Sequence, residues 1–165
     1  MSKEDLKTGD ILHCRGRKWL AKAIMKFTRG RWSHTAVVVE CWGQIYIVDA
    51  QLNGVNARPY EEWVKEFNYE YKVSRPKFQI EPKDFSIRAF TKVGSTKYDV
   101  ISLIWHQPLY IITGKWNGKT RDNATGRMYC SEYVGWLYNM PKWWELSPQD
   151  LYLNCLEPGY DFNLI

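Results

Sequence analysis

Apolar positions along the chain recur with two different periods. Over 18–27 the residues Trp19, Leu20, Ala23, Ile24 and Phe27 fall three and four apart, which predicts an amphipathic helix ended by Gly30. Before it, Thr8-Gly9-Asp10 reads as a turn and 11–14 as a short strand. A Val-rich run at 34–41, the turn residues Trp42-Gly43-Gln44 and a second apolar run at 45–51 predict a β-hairpin. Asn53-Gly54 marks a further turn. Helices are predicted over 60–67 and from Pro82 through Asp84, Ile87, Phe90 and Val93, with an alternating strand at 69–74 between them. Segment 98–112 is the most apolar, and Pro108 predicts a kink or break within it. Gly, Asn and Lys dominate 113–127, a loop that precedes the next helix and is a candidate lid. That helix covers 131–138, with Cys130 just before or at its first turn and Pro141 beyond its end. Helices at both ends and sequential antiparallel strands between them give an α+β class, and the lack of repeats or linkers predicts one domain over 1–165.

Composition narrows the function classes only slightly. Hydrophobic residues make up 45% of the 165 positions, which excludes a disordered chain. Aromatics reach 16%, so some rings must lie at a surface, in a groove or an interface, unless a small core packs them all. The net charge of +5 is compatible with nucleic acid, an anionic membrane or an acidic wall polymer, and selects none. Basic residues are densest from Arg15 to Arg31, which reads as a solvated helix face; no nucleic-acid motif accompanies it, so no nucleic-acid partner is expected. The four cysteines form no C-x-x-C pair, which excludes a zinc ribbon or thioredoxin motif, and they read as free thiols. The charged opening residues carry no apolar signal region, and no apolar run reaches the ~18 residues of a membrane span. The expectation is a cytoplasmic protein with no transmembrane segment, carried elsewhere only by other means.

Three residue types sit where nucleophilic chemistry would need them. Cys130 lies at a loop-to-helix boundary, where the positive end of the helix dipole favours thiolate over thiol. His34 opens the first hairpin strand, and a neutral imidazole near a thiol can take its proton. His13 and His106 are weaker partners because neither sits at a turn or strand start. A third group should orient the imidazole. A two-residue turn makes hairpin partners sum to an odd number, so Asp49 and Gln51 share the sheet face of His34. If the sum is 85, Gln51 lies opposite His34 and Asp49 one diagonal step away, so either could serve. Glu40 shares the face but lies about 20 Å along the strand.

The order His34, Asp49, Cys130 resembles that of the circularly permuted papain-like hydrolases of the NlpC superfamily, in particular the YiiX-like branch, with the lecithin-retinol acyltransferase-like proteins as distant relatives. Lys7-Thr8-Gly9-Asp10-Ile11-Leu12 is similar to the opening strand of that group, and Trp32-Ser33-His34-Thr35-Ala36-Val37-Val38 to its histidine strand. Ile47-Val48-Asp49-Ala50 with Gly54-Val55 resembles the strand of the acidic member, and Tyr129-Cys130-Ser131-Glu132 the nucleophile motif. Lys97-Tyr98-Asp99 and Leu146-Ser147-Pro148-Gln149-Asp150-Leu151 resemble its flanking segments. The departures are Ala36 in place of a frequent Gly and Asp49 in place of a common Glu; the shorter carboxylate lets Gln51 share the orienting role.

The resemblance implies a permuted papain-like fold, with a central antiparallel sheet and the nucleophile at the N-terminus of a helix packed on it. It implies acyl transfer on an amide, ester or thioester: Cys130 attacks, His34 shuttles the proton, and the Cys130 backbone N–H meets the oxyanion. Tyr129, Trp32 and Gln51 are the expected binding residues, and neither a metal nor an organic cofactor is called for. The substrate classes implied are peptides, peptidoglycan fragments and acyl lipids. The alternative is a binding module of the same fold that has lost turnover.

Overall fold

The computed structural model describes residues 3–67, 69–115, 117–118, 120, 126–159 and 161–165. Six strands form one antiparallel sheet: β1 (Ile11–Arg15), β2 (His34–Cys41), β3 (Gln44–Gln51), β4 (Gly54–Pro59), β5 (Glu70–Pro76) and β8 (Phe162–Leu164), in the order β4-β3-β2-β1-β5-β8. Strands β6 (Lys97–Tyr98) and β7 (Arg127–Met128) pair in parallel apart from it. The helices are α1 (Trp19–Phe27), α2 (Tyr60–Phe67), α3 (Pro82–Phe90), α4 (Gln107–Thr113), α5 (Cys130–Leu137) and α6 (Pro148–Asn154). The α+β class and the central antiparallel sheet are as the sequence predicts.

Strand β2 reads as continuous Val rather than alternation because both of its faces are covered. Val37 and Val39 point to the side that holds α3, α5 and α6, while Ala36 and Val38 join Trp63 of α2 on the other. Each Val so buried contributes about 1.5–3 kcal/mol relative to exposure. The hairpin turn is Trp42-Gly43, both at positive φ (51° and 71°), as a tight I′-type turn needs. Cys41 therefore pairs with Gln44 and Val37 with Val48, which is the register summing to 85.

Helix α5 is the central helix: seven of its eight residues are buried. Its N-terminus is held by Glu132, whose side chain accepts the Tyr129 backbone N–H at 3.0 Å. Gly135 is required there, since a Cβ would lie 2.9 Å from the Cβ of Trp143. Strand β4 had no sequence signal, because Gly-Val-Asn-Ala-Arg-Pro shows no clear period and ends in Pro; as an edge strand it tolerates both. The helical segment at 100–113 carries a π turn at Ser102–His106 directly before Pro108, where the widened turn accommodates the missing N–H. Part of the predicted loop at 113–127 lies outside the described residues. Among the described residues, no helix is long and apolar enough to cross a membrane.

Candidate active site

The hairpin register carries His34, the first residue of β2, beside Asp49 and Gln51 near the end of β3. His34 Nε2 lies 2.8 Å from Asp49 Oδ2. The Gln51 amide donates to the same carboxylate oxygen at 2.7 Å, and its nitrogen is 3.2 Å from Nε2. With Nε2–H directed at Asp49, the Gln51 amide braces the carboxylate. Asp49 makes the shorter contact with the ring, and the Gln51 amide touches both the ring and the carboxylate.

Two further residues hold Asp49, and neither has a sequence signal. The Trp63 indole N–H donates to Oδ2 at 3.0 Å, and Arg58 Nη1 lies 3.5 Å from Oδ1. Both Asp49 and Trp63 are fully buried. A carboxylate out of water is tolerable only with such a set of donors. Tyr69 stacks on the imidazole with ring centroids 5.5 Å apart, and Phe67 stacks in turn on Tyr69. The pocket wall therefore fixes the plane of the ring as well as its tautomer.

Cys130 is the first residue of α5, on the opposite side of the sheet from α2. Its thiol lies beside His34 at the start of β2, close enough for the charge on each to shift the proton affinity of the other. Asp49 holds Nε2, which leaves Nδ1 to face the sulfur. Burial disfavours the Cys130 thiolate, but the adjacent imidazolium, its hydrogen bond and the Thr35 and Ser131 backbone N–H groups outweigh it and lower the pKa. Burial likewise opposes charge on His34; the thiolate, Tyr69 and the Asp49 bond prevail and hold its pKa well above the ordinary imidazole value. The two shifts describe one ion pair, thiolate and imidazolium. Tyr98 lies beside the same sulfur, and burial followed by the thiolate charge pushes its own pKa well up.

His34, Gln51, Tyr69 and Tyr98 border a groove of about 580 Å³, whose far wall is Leu20, Ala21 and Ile24 of α1. Arg17 and Lys18 also line it, as does Arg58, which is paired with Glu66 at 3.2 Å. Two expected binding residues lie elsewhere. Trp32 is buried against Tyr152 and His13, because its ring fills the core behind β1 rather than the groove. Tyr129 is fully buried, with its hydroxyl accepting from Gln107 Nε2 at 2.9 Å; its residue type was legible, but its inward direction at the helix cap was not. His13 bonds Ser74 at 2.9 Å and does not enter the site. Cys14, Cys41, Cys130 and Cys155 are all free thiols.

No protein-family profile matches the chain, and no curated protein matches it. Among solved structures it is similar to the metalloprotein YiiX from Escherichia coli O157:H7 (DUF1105), with a TM-score of 0.60 at 20% identity over 97% of this chain and 96% of that one. At that identity the likeness shows a shared fold. That protein is described as a metalloprotein, which poses a question of fit here. Among the described residues, no group of three His, Cys, Asp or Glu side chains is placed to hold a metal ion. Asp49 Oδ2 is already engaged by His34, Gln51 and Trp63. The donor set among the described residues does not suit a metal.

Proposed function

We propose that the chain is a cysteine hydrolase of the permuted papain-like, NlpC-type kind, acting by acyl transfer within one domain. The observation that carries this reading is the buried Cys130 thiol beside His34, with charge on each favouring charge on the other, and Asp49 bonded to His34 Nε2. A structural cysteine that is somewhat less buried shows the opposite behaviour: burial pushes the Cys155 thiol up to about 12 despite the opposing effect of Ser74.

In the proposed reaction the Cys130 sulfur attacks the acyl carbonyl, and the carbonyl electron pair moves to oxygen. The Cys130 backbone N–H, at a helix position with no intrahelical acceptor, meets the oxyanion. Tyr98, whose phenol lies beside the sulfur and borders the groove, is the second donor. Collapse of the intermediate expels the leaving group, which takes the proton from His34 Nδ1, and a thioester remains. Water then attacks, His34 takes its proton, and the carboxylic acid leaves as the thiol is restored. Leu20, Ile24 and Phe67 suit an apolar acyl or peptide portion, and Arg17 and Lys18 suit an acidic group on the same substrate.

The test is acyl-enzyme trapping. The protein is mixed with p-nitrophenyl acyl esters, release of p-nitrophenol is followed, and the mass of the Cys130 peptide is read. The reading requires a burst and an acyl adduct on Cys130, both absent in Cys130→Ala. Equal release by that variant would sink it. The full burial of Cys130 favours a second reading, a binding module without turnover; that reading requires groove ligands to bind with no adduct formed.

A further inference from the structure

The helical segment at 100–113 is inside out. Its buried residues include Ser102 and Gln107, whose side-chain donors point inward: Ser102 Oγ donates to Asp99 Oδ2 at 2.8 Å and Gln107 Nε2 to the Tyr129 hydroxyl at 2.9 Å. Its outward residues are Val100, Ile101, Ile104, Trp105 and Ile112, with Trp105 64% and Ile112 78% exposed. Apart from His106, no residue of this stretch is ionisable below the tyrosine range. An ordinary surface helix has the reverse pattern.

Helix α1 packs beside α4 and repeats the anomaly. None of its residues is buried, although it is mostly apolar, and Trp19 stands 77% and Phe27 52% exposed. At 100° per residue, Trp19, Ala23 and Phe27 form a stripe between the groove-lining Leu20 and Ile24 and the lysines Lys22 and Lys26. The stretch 15–31 that contains α1 holds seven Lys or Arg and no Asp or Glu, so its charge of +7 exceeds the net +5 of the whole chain. Of these cations, Arg15 and Arg31 are paired with Glu70, while Arg17, Lys18, Lys22, Lys26 and Arg29 are exposed.

We infer that α1 and the 100–113 segment together dock the protein on an anionic phospholipid surface. Exposed Trp, Phe and Ile enter the headgroup–acyl boundary, and the surrounding Lys and Arg meet lipid phosphates. A second copy of the chain is disfavoured as the occupant, because a two-fold contact would bring two such cationic stretches together. Docking in this way sets the α1 wall of the groove against the bilayer. The inference stands apart from the hydrolase reading, since it rests on exposure and charge and not on Cys130.

The experiment is co-sedimentation of the full chain with vesicles of phosphatidylcholine alone and of phosphatidylcholine mixed with phosphatidylglycerol, at fixed salt. Partitioning is expected to be at least about tenfold stronger on the anionic vesicles. Lys22→Gln with Lys26→Gln should weaken it roughly twentyfold, at about fivefold per cation. Ile104→Glu with Trp105→Glu should abolish it; both sites are exposed, so the melting temperature should stay within a few degrees. If that variant fails to fold, quenching of wild-type Trp emission by brominated lipid decides instead, and it is expected to be strong. Equal partitioning on neutral and anionic vesicles, no binding, or no quenching would overturn the proposal. A dimer in sedimentation velocity that Trp105→Glu dissolves would assign the face to a second copy and overturn it equally.

Discussion

His13 makes the fold sensitive to acid in a way that can be worked from the structure. It is fully buried on β1, its Nε2 is 2.9 Å from Ser74 Oγ, and its ring meets Tyr152 edge-on at 5.0 Å. Burial in this uncharged setting lowers its pKa from 6.5 to about 3. The unfolded chain therefore binds a proton below about pH 6.5 that the folded chain refuses until about pH 3. Stability from the neutral ring is fully present above pH 6.5 and is lost as pH falls through that window. At pH 4.5 the gap is about two pH units, so the cost is about 3 kcal/mol, a large share of a typical 5–15 kcal/mol. His34 does not add to this loss, because its folded pKa is raised and it gains its proton before the unfolded chain does. The perturbation is His13→Phe, which keeps a ring against Trp32 and Tyr152, and the assay is urea unfolding at pH 7 and pH 4.5. The wild type should lose about 3 kcal/mol more than the variant between the two pH values. Equal losses in both proteins would refute the argument, since the carboxylates common to both would then account for all of the acid sensitivity.

Asp49→Asn removes the anionic partner of Nε2–H while keeping its shape; ester turnover should fall by about 10²–10⁴ in kcat, and Gln51→Ala should cost far less. Steady-state kinetics checks the ranking, and a larger loss in Gln51→Ala would reverse the roles given to the two residues. Tyr98→Phe should lower turnover about 10–10²-fold and raise the pH midpoint of Cys130 reactivity, because the thiolate loses a donor; an unchanged kcat and midpoint would remove Tyr98 from the site. Gly54 has φ +112°, and a Cβ there would lie 2.5 Å from the Thr96 carbonyl oxygen, so Gly54→Ala should destabilise by more than about 2 kcal/mol in urea. Gly43, at φ +71° with open space around it, should cost only about 1 kcal/mol on the same change, and equal costs would mean that the Thr96 contact is immaterial.

What the sequence made legible was local. The Val-rich run, the turn and the second run located the hairpin, and parity alone put His34, Asp49 and Gln51 on one face. Cys130 could be placed at a helix start because α5 is bounded by recognisable residues. Contacts made across the fold left no such trace. Trp63 donates to Asp49 from α2, and Tyr98 reaches Cys130 from the short strand β6; nothing local to either residue reports the partner. Trp32 and Tyr129 fail for a related reason, since an aromatic residue near a catalytic motif can face the groove or the core with the same sequence. The basic stretch at 15–31 reads as a solvated face and its Arg17, Lys18, Lys22, Lys26 and Arg29 are exposed, but the exposure of Trp19 and Phe27 beside them left no trace in the sequence.

The central claim is that Cys130 and His34 form an activated pair, and the pH dependence of Cys130 alkylation by iodoacetamide tests it most directly. Cys14, Cys41 and Cys155 serve as controls in the same digest, read by mass spectrometry; burial raises the Cys14 and Cys155 thiols, so neither should react near neutral pH. The midpoint of the rate profile is the quantity to compare, because restricted access to Cys130 lowers its rate at every pH, whereas the midpoint reports the balance between desolvation and the neighbouring charge. The account predicts a Cys130 midpoint well below the free-thiol value of ~8.5, and a shift upward past that value in His34→Ala. A Cys130 midpoint at or above ~8.5, or one that His34→Ala leaves in place, would contradict the pair and with it the proposed chemistry.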